Sequence, residues 1–560
     1  MDIIYDAETA GGFNQHHPDF KNLFLGWGSA YKGGFGVDQE KLDPVFCFSS
    51  DDILVGHNLK YDLHCLKKEG HETDWFKQVQ DTQVMFHLIR EDLSSYKLEY
   101  LSQICGYDYP NYKKLVDFDD PSYADEDVRG VLKLYNEHDL RATKLLQTVA
   151  APILKRQGKW PLFLMVMDFL KVLAEVEWQG IQIDEPVLES FGADWKQKRE
   201  TALANIESAG FHCDPDEKQG YSSKELLAYF KRQKVKLPTT AKGNPSAAAA
   251  NLEKIDHPVA KLILELREAN KQYGTYYLGF KKNLVERRYY PNYGLTATVS
   301  GRLGEHFIQV MPRAATSDFK RCIRSKFTDG CLLAVDWSQL ELRIIADVVA
   351  SVTGNTQLAD DLLGGLDIHA ETLKRFPFLP DRTKAKNANF SVFFGGKGWT
   401  LQHLYGFTKQ QATDFRDDLL DVRYPSVKDW HLITEKQTLL NGKMRMLTGR
   451  ERHTDSFTEA YNGQIQGVGS DFNKIMMIKC YNILKKEGFE SHPIADIHDE
   501  IVFDCPKKEL DTVKKLLYTE YSKLNEYFYE YFRYELRMKY EGELKVGPNL
   551  LDMEKVAHGK

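Results

Sequence analysis

At 560 residues, with 42% hydrophobic and 28% charged side chains, the chain has a globular composition. It exceeds what one hydrophobic core organises, and it lacks the run of about 18 apolar residues that a membrane helix needs, which excludes a membrane partner of that kind. Its formal net charge of −7 argues against indiscriminate nucleic-acid binding and leaves any phosphate contact to local basic clusters.

The opening "MDIIYDAETAGG" has no basic segment leading into an apolar one, so no signal or transit peptide is expected. Ile3, Ile4 and Tyr5 read as a strand that delivers Asp6 and Glu8, and residues two apart on a strand share a face. Next, "DDILVGHNLKYDLHCL" reads as a strand, Ile53 to Gly56, and a helix carrying Asn58 and Asp62 four residues apart. "VLKLYNEHDLRATKLL" reads as an amphipathic helix on which Tyr135 and Asp139 share a face. Any one of these pairs alone is an ordinary surface feature. Together they offer clustered carboxylate oxygens, the natural ligands of Mg²⁺ or Mn²⁺, two of which can clamp the attacking and leaving oxygens of a phosphodiester.

The order DxE, NxxxD, YxxxD, with "QDTQVMFHLI" at 80 to 89 between the last two, resembles the DEDD family of 3'-5' exonucleases in its tyrosine subtype. That resemblance implies an RNase H-like α/β domain over about residues 1–150. In it Asp6, Glu8, Asp62 and Asp139 would bind two metals and Tyr135 would orient the attacking water. Every position of the pattern is filled, so an active nuclease is expected.

The eight cysteines, at 47, 65, 105, 213, 322, 331, 480 and 505, form no CxxC pair and no zinc-like spacing, which favours a reducing compartment, expected to be cytoplasmic. "VLAEVEWQGIQID" at 172 to 184 predicts a helix ended by Gly180 and a short strand after it, a domain boundary. Beyond it the basic clusters at 196–199, 231–236 and 281–288 fall in one region and are candidate contacts to a nucleic-acid backbone. "KLPTTAKGNPSAAAA" at 236 to 250 predicts a loop before a new helix.

In "GCLLAVDWSQLELRIIADVVA" a strand, Leu332 to Val335, delivers Asp336 at its end, and a helix from about Ser338 carries Glu341 and Arg343. In "DRTKAKNANFSVFFGG" the residues Arg382, Lys386, Phe390 and Phe394 are four apart, a helical stripe roughly 18 Å long. Cations in a helix's first turns oppose its macrodipole unless an anion is present, and a nucleoside triphosphate would supply one. In "PIADIHDEIVFD" a hairpin with His498, Asp499 and Glu500 at its bend would bring Asp499 beside Asp336 to share divalent metals.

These segments, with "TATVSGRL" and "NGQIQGVGSDFNK", resemble the motifs of family A DNA polymerases over nearly the whole chain. The resemblance implies a right-hand polymerase over 151–560: thumb about 185–290, fingers about 346–455, palm about 291–345 and 456–560. Asp336 and Asp499 would hold two Mg²⁺ ions, with Mn²⁺ the alternative. Lys386, Arg382 and His369 would contact the triphosphate, with Lys386 also protonating pyrophosphate. Phe390, Phe394, Glu341 and Gln339 would line the nucleotide site, Glu341 excluding a ribose 2'-hydroxyl. Arg302, Gln466 and His498 would follow the primer terminus and minor groove. Primer–template DNA and dNTPs are the implied partners, with a replisome helicase or single-strand binding protein beside them. A monomer of phage type is expected.

The chain departs from the family's pattern at Trp337 and Phe394, where tyrosine is usual. It is also about two residues short in "SGRLGEHFIQVMP", which leaves Gln309 without an assigned role. Rival readings are a single-subunit RNA polymerase, opposed by Glu341, a catalytically silent DNA grip, opposed by Asp336, Lys386 and Asp499, and a repair exonuclease.

Overall fold

The computed structural model describes residues 1–10, 14–31, 34–38, 49–72, 76–110, 129–214, 217, 219–239, 243–312 and 317–556. Cys47 and residues 240–242 of the expected loop lie outside the described residues.

The first strand, Asp2–Ala10, is central to a five-stranded sheet whose order is Gly34–Asp38, Lys21–Tyr31, Asp2–Ala10, Ile53–Gly56, Gln78–Asp81. Neighbours among the first three strands are antiparallel, and neighbours among the last three are parallel. Ile3, Ile4 and Tyr5 are all buried because helices cover both faces. Ile3 and Tyr5 join the core of Leu59 and Leu63, and Ile4 joins Val55 and Leu140 of the long helix Arg129–Arg156. A register shift between Glu8 and Thr9 interrupts the strand where its carboxylates emerge.

Helix Trp160–Gln179 is apolar almost all round and buried along most of its length, so it serves as a shared core element packed on helices Leu59–Lys68 and Phe457–Lys486. It ends, as expected, at Gly180, whose φ of 61° permits the turn into strand Ile181–Ile183. Helices Glu185–Ser208 and Pro258–Asn270 then pack on each other around a separate core that includes Ile206, Tyr221, Phe230 and Ile263. The helix expected to start in the alanine run does so at Ala249 and is only four residues long, Ala249–Leu252.

A second five-stranded sheet, wholly antiparallel, has the order His492–Ile497, Glu500–Cys505, Cys331–Trp337, Gly542–Gly547, Glu554–Lys555. This sheet differs from the sequence-based expectation at three places. The strand runs through Trp337, so Asp336 lies within it rather than past its end. The next helix starts at Leu340 because Gln339 adopts a left-handed φ of 52°. The hairpin bend is His498 and Asp499 alone, with Glu500 already paired to Ile497. Two smaller corrections follow the same logic. Asn58 sits before its helix at φ 63° and Phe394 just after its own. Among the described residues no helix is long and apolar enough to cross a membrane.

Candidate active sites

The N-terminal carboxylates converge. Asp6 and Glu8, from the central strand, and Asp139, from the helix packed across it, place carboxylate oxygens within 4.8 Å of one another. Asp62 reaches the same strand, accepting from the Ala7 amide at 3.0 Å. Burial pushes the Asp6 carboxyl up to about 7, and burial with mutual repulsion holds Glu8, Asp62 and Asp139 well above the usual carboxylate range. Such a set stores repulsion that a divalent cation relieves, and its hard oxygen donors suit Mg²⁺ or Mn²⁺. Tyr135 is hydrogen-bonded with Asp139 and feels the charges of Glu8 and Asp6.

Three neighbours here escaped the sequence reading. Asn136, one residue past Tyr135, donates to Asp6 Oδ2 at 2.7 Å from a fully buried side chain. Gly26 makes room for it, since a Cβ there would sit 1.7 Å from Asn136 Oδ1. Tyr109 donates its hydroxyl to Asp139. Asp81, also unassigned, accepts the backbone N–H groups of Asn58, Leu59, Gln83 and Val84 at 2.8–3.3 Å, so one carboxylate caps two helices and fixes the helix that carries Asp62.

At one end of the second sheet a further group assembles. Val335 pairs with Ile501, which sets Asp336 beside the Asp499 turn, and burial, followed by the charge of Glu500 and then that of Asp499, raises the Asp336 carboxyl. Asp336 Oδ1 accepts from the Trp337 amide at 2.8 Å, while Lys545 neutralises Glu500 at 2.7 Å. Arg302 binds both oxygens of Asp499, at 3.0 and 3.1 Å. Glu341 is raised by burial and by Asp499, and lowered by Arg302 and Lys386, so these side chains face one locus. The carboxylates therefore come with compensating cations built into the protein.

Helix Arg382–Phe393 presents the expected stripe. Lys386 Nζ lies 5.8 Å from the Phe390 ring, and Phe390 and Phe394 stack at 6.0 Å with planes 18° apart. Anions of the protein itself also stand at its start: Asp381 accepts from the Lys384 amide and Asp367 from Arg382 Nε at 2.7 Å. His369 packs 5.6 Å from Phe390. Burial and then Arg382 lower its pKa to about 4, and Asn389 Nδ2 donates to its Nδ1 at 3.0 Å, so the neutral ring carries its proton on Nε2. Exposed Gln339 precedes the helix of Glu341, and half-buried Gln466 lies on helix Phe457–Lys486. Gln309, left without a role from the sequence, grips the hairpin: its Nε2 donates to the Asp496 carbonyl at 2.7 Å and its Oε1 accepts from the His498 amide at 3.0 Å. His498 adopts φ 63°, which makes the two-residue turn.

A sequence model of DNA polymerase family A matches residues 189–552, the segment that contains all of this second group. The chain belongs to DNA polymerase family A. Among relatives of this family A chain, DNA polymerase I of Lactococcus lactis subsp. lactis is 28% identical over 412 residues, 68% of this chain and 46% of that protein. DNA polymerase I of Caldicellulosiruptor bescii is 26% identical over 529 residues, 86% and 57%. The chain thus spans about half the length of these two. DNA polymerase I of Aquifex aeolicus is 26% identical, with 85% of each chain covered. In fold, the chain resembles the POL domain of Pol1 from M. smegmatis, solved as a complex with DNA primer-template and dNTP. The TM-score is 0.79 at 19% identity, over 98% of this chain and 96% of that one. The family A match starts past the first carboxylate cluster, which lies at 6–139.

Proposed function

We propose that the protein is a DNA-templated DNA polymerase that adds dNTPs to a primer 3' end and also carries a 3'-5' exonuclease. The observation that carries the polymerase reading is the convergence of Asp336, Asp499, Glu341, Arg302 and Lys386 at one end of the second sheet in a family A chain. The exonuclease reading rests on the close-set oxygens of Asp6, Glu8 and Asp139. In this reading the exonuclease spans about 1–150, the thumb about 185–290, the fingers about 346–455, and the palm the two segments that flank the fingers.

Asp336 and Asp499 would hold divalent cations at one centre, and Asp6, Glu8, Asp62 and Asp139 at the other. Such cations lower the pKa of an attacking hydroxyl or water and neutralise the charge of phosphoryl transfer. Lys386 and Arg382 bind the triphosphate, with the Nε2–H of neutral His369 a further donor, and Lys386 gives a proton to the departing pyrophosphate. Glu341 rejects a 2'-hydroxyl, and the stacked rings of Phe390 and Phe394 hold the incoming base and sugar. Arg302 exchanges Asp499 for the primer terminus, and Tyr135 orients the water at the other centre. A fold neighbour solved with primer-template and dNTP supports these substrates.

The deciding experiment is primer extension with Mg²⁺, with and without dNTPs, on wild type, Asp499→Ala and Asp6→Ala. Wild type is expected to extend the primer with dNTPs and shorten it without them, Asp499→Ala only to shorten, and Asp6→Ala only to extend. A wild type that never extends with Mg²⁺ or Mn²⁺ would leave a nuclease on a polymerase-derived scaffold.

A further inference from the structure

Below the Asp336–Asp499 locus runs a buried polar chain of three residues that lie within the motifs and carry no assigned role. Trp337, which stands where the family's tyrosine is usual, turns its indole Nε1 toward Asn473 and donates to Oδ1 at 2.8 Å. Asn473 in turn donates from Nδ2 to Asp496 Oδ1 at 3.1 Å. All three are buried: Trp337 is 6% exposed, Asn473 1% and Asp496 5%. Each belongs to a different element. Trp337 follows Asp336 in the strand, Asn473 projects from helix Phe457–Lys486, and Asp496 lies three residues before Asp499 in the hairpin.

We infer that Asn473 is a positioning residue that locks the Asp336 strand to the Asp499 hairpin, through the Trp337 indole on one side and the Asp496 carboxylate on the other, and so sets the spacing of the two metal carboxylates. The inference rests on the polymerase reading of that locus. A planar amide suits the task because it both accepts and donates, so it joins a donor-only indole to a carboxyl oxygen with neither left unpaired.

The two ends of the chain are themselves held. The Trp337 amide binds Asp336 Oδ1, so a shift of the main chain at Trp337 reaches the carboxylate. The Trp337 ring rests on Tyr521 at 4.7 Å and on Phe472 and Tyr540 beyond it, which leaves it little room to adjust. At the other end the Asp496 main chain is pinned by the Tyr293 hydroxyl at 3.2 Å and by Gln309, which also holds the His498 amide. Displacing Asn473 would therefore be felt at both carboxylates.

Asn473→Leu, branched at the same carbon though bulkier and without polar atoms, is the test, with Trp337→Phe as a second variant that keeps a ring in place. Primer extension is measured across a Mg²⁺ titration, and exonuclease activity across the same titration serves as control. Mn²⁺ binding is followed by electron paramagnetic resonance in an Asp6→Ala background that removes the first centre. The expected result is a rise of about 10-fold in the Mg²⁺ needed for half-maximal extension and a roughly 10-fold fall in kcat. KM for primer-template and the exonuclease profile should not change. Trp337→Phe should move the same quantities in the same direction, and the double variant should lose no more than the worse single one. If Asn473→Leu or Trp337→Phe leaves both the Mg²⁺ midpoint and Mn²⁺ binding at wild-type values, or if the two losses add, the inference is overturned. If wild type does not extend but Mn²⁺ binding weakens in the variants, the polymerase reading fails while the positioning role stands.

Discussion

At the residue scale the N-terminal carboxylates carry a pH signature. Asp6 moves from 3.8 to about 7 through burial, partly offset by the Asn136 donor. A carboxyl with a raised folded-state pKa contributes stability that is fully present below about 3.8 and is lost as pH rises through about 7. Without metal, Asp6→Asn is therefore expected to gain on wild type between pH 5 and 8, by on the order of 2 kcal/mol, in urea unfolding. Mg²⁺ should restore wild type at pH 8 and leave the variant unmoved, whereas a difference that is flat with pH would mean that Asp6 titrates like an exposed carboxyl. DxE spacing made Asp6 and Glu8 legible in sequence because a strand's two-residue period is local. Asn136 was not legible, because its value depends on Gly26, far away in the chain, having no side chain in its path.

At the element scale, one side chain organises two helix starts. Asp81 accepts four backbone N–H groups from the N-termini of helices Leu59–Lys68 and Thr82–Ile89. Asp81→Ala is expected to cost about 2–3 kcal/mol, roughly one cap per helix. Because the first helix carries Asp62, primer shortening should fall while extension persists. Equilibrium unfolding and the two activities, measured on one preparation, check both halves. Helix and strand existence could be read from hydrophobic period, as at Ile53–Gly56 and Trp160–Gln179. Their ends could not, where a left-handed residue such as Asn58 or Gln339 delays the helix by a residue or two, since that conformation is imposed by surrounding contacts.

At the scale of the whole molecule, the N-terminal sheet unit is tied to the rest through buried ions. Lys60 binds Glu177, the Tyr293 carbonyl and Asn292, while Glu177 also accepts the Tyr293 amide at 2.6 Å. Fully buried Lys159 joins Glu451 to the Leu88 carbonyl, and Glu91 binds the His453 amide and ring. Lys60→Met would leave Glu177 buried without its cation, at a cost of about 3–5 kcal/mol. Calorimetry is expected to show one unfolding transition for wild type and two for the variant, and an unsplit, unshifted transition in the variant would assign no coupling to this pair. None of these ties was legible beforehand, because a lone lysine on a helix reads as a solvated face. By itself the sequence determined the two acid constellations, the cation and aromatic stripe of helix Arg382–Phe393 and the family, because those signals are periodic or motif-bound and survive without partners. Tertiary structure alone decided which cations compensate the acids, that Gln309 grips the hairpin and that Asn473 bridges two strands. Each of those depends on buried donors and acceptors meeting across long stretches of chain, and only the folded packing brings them within hydrogen-bond reach.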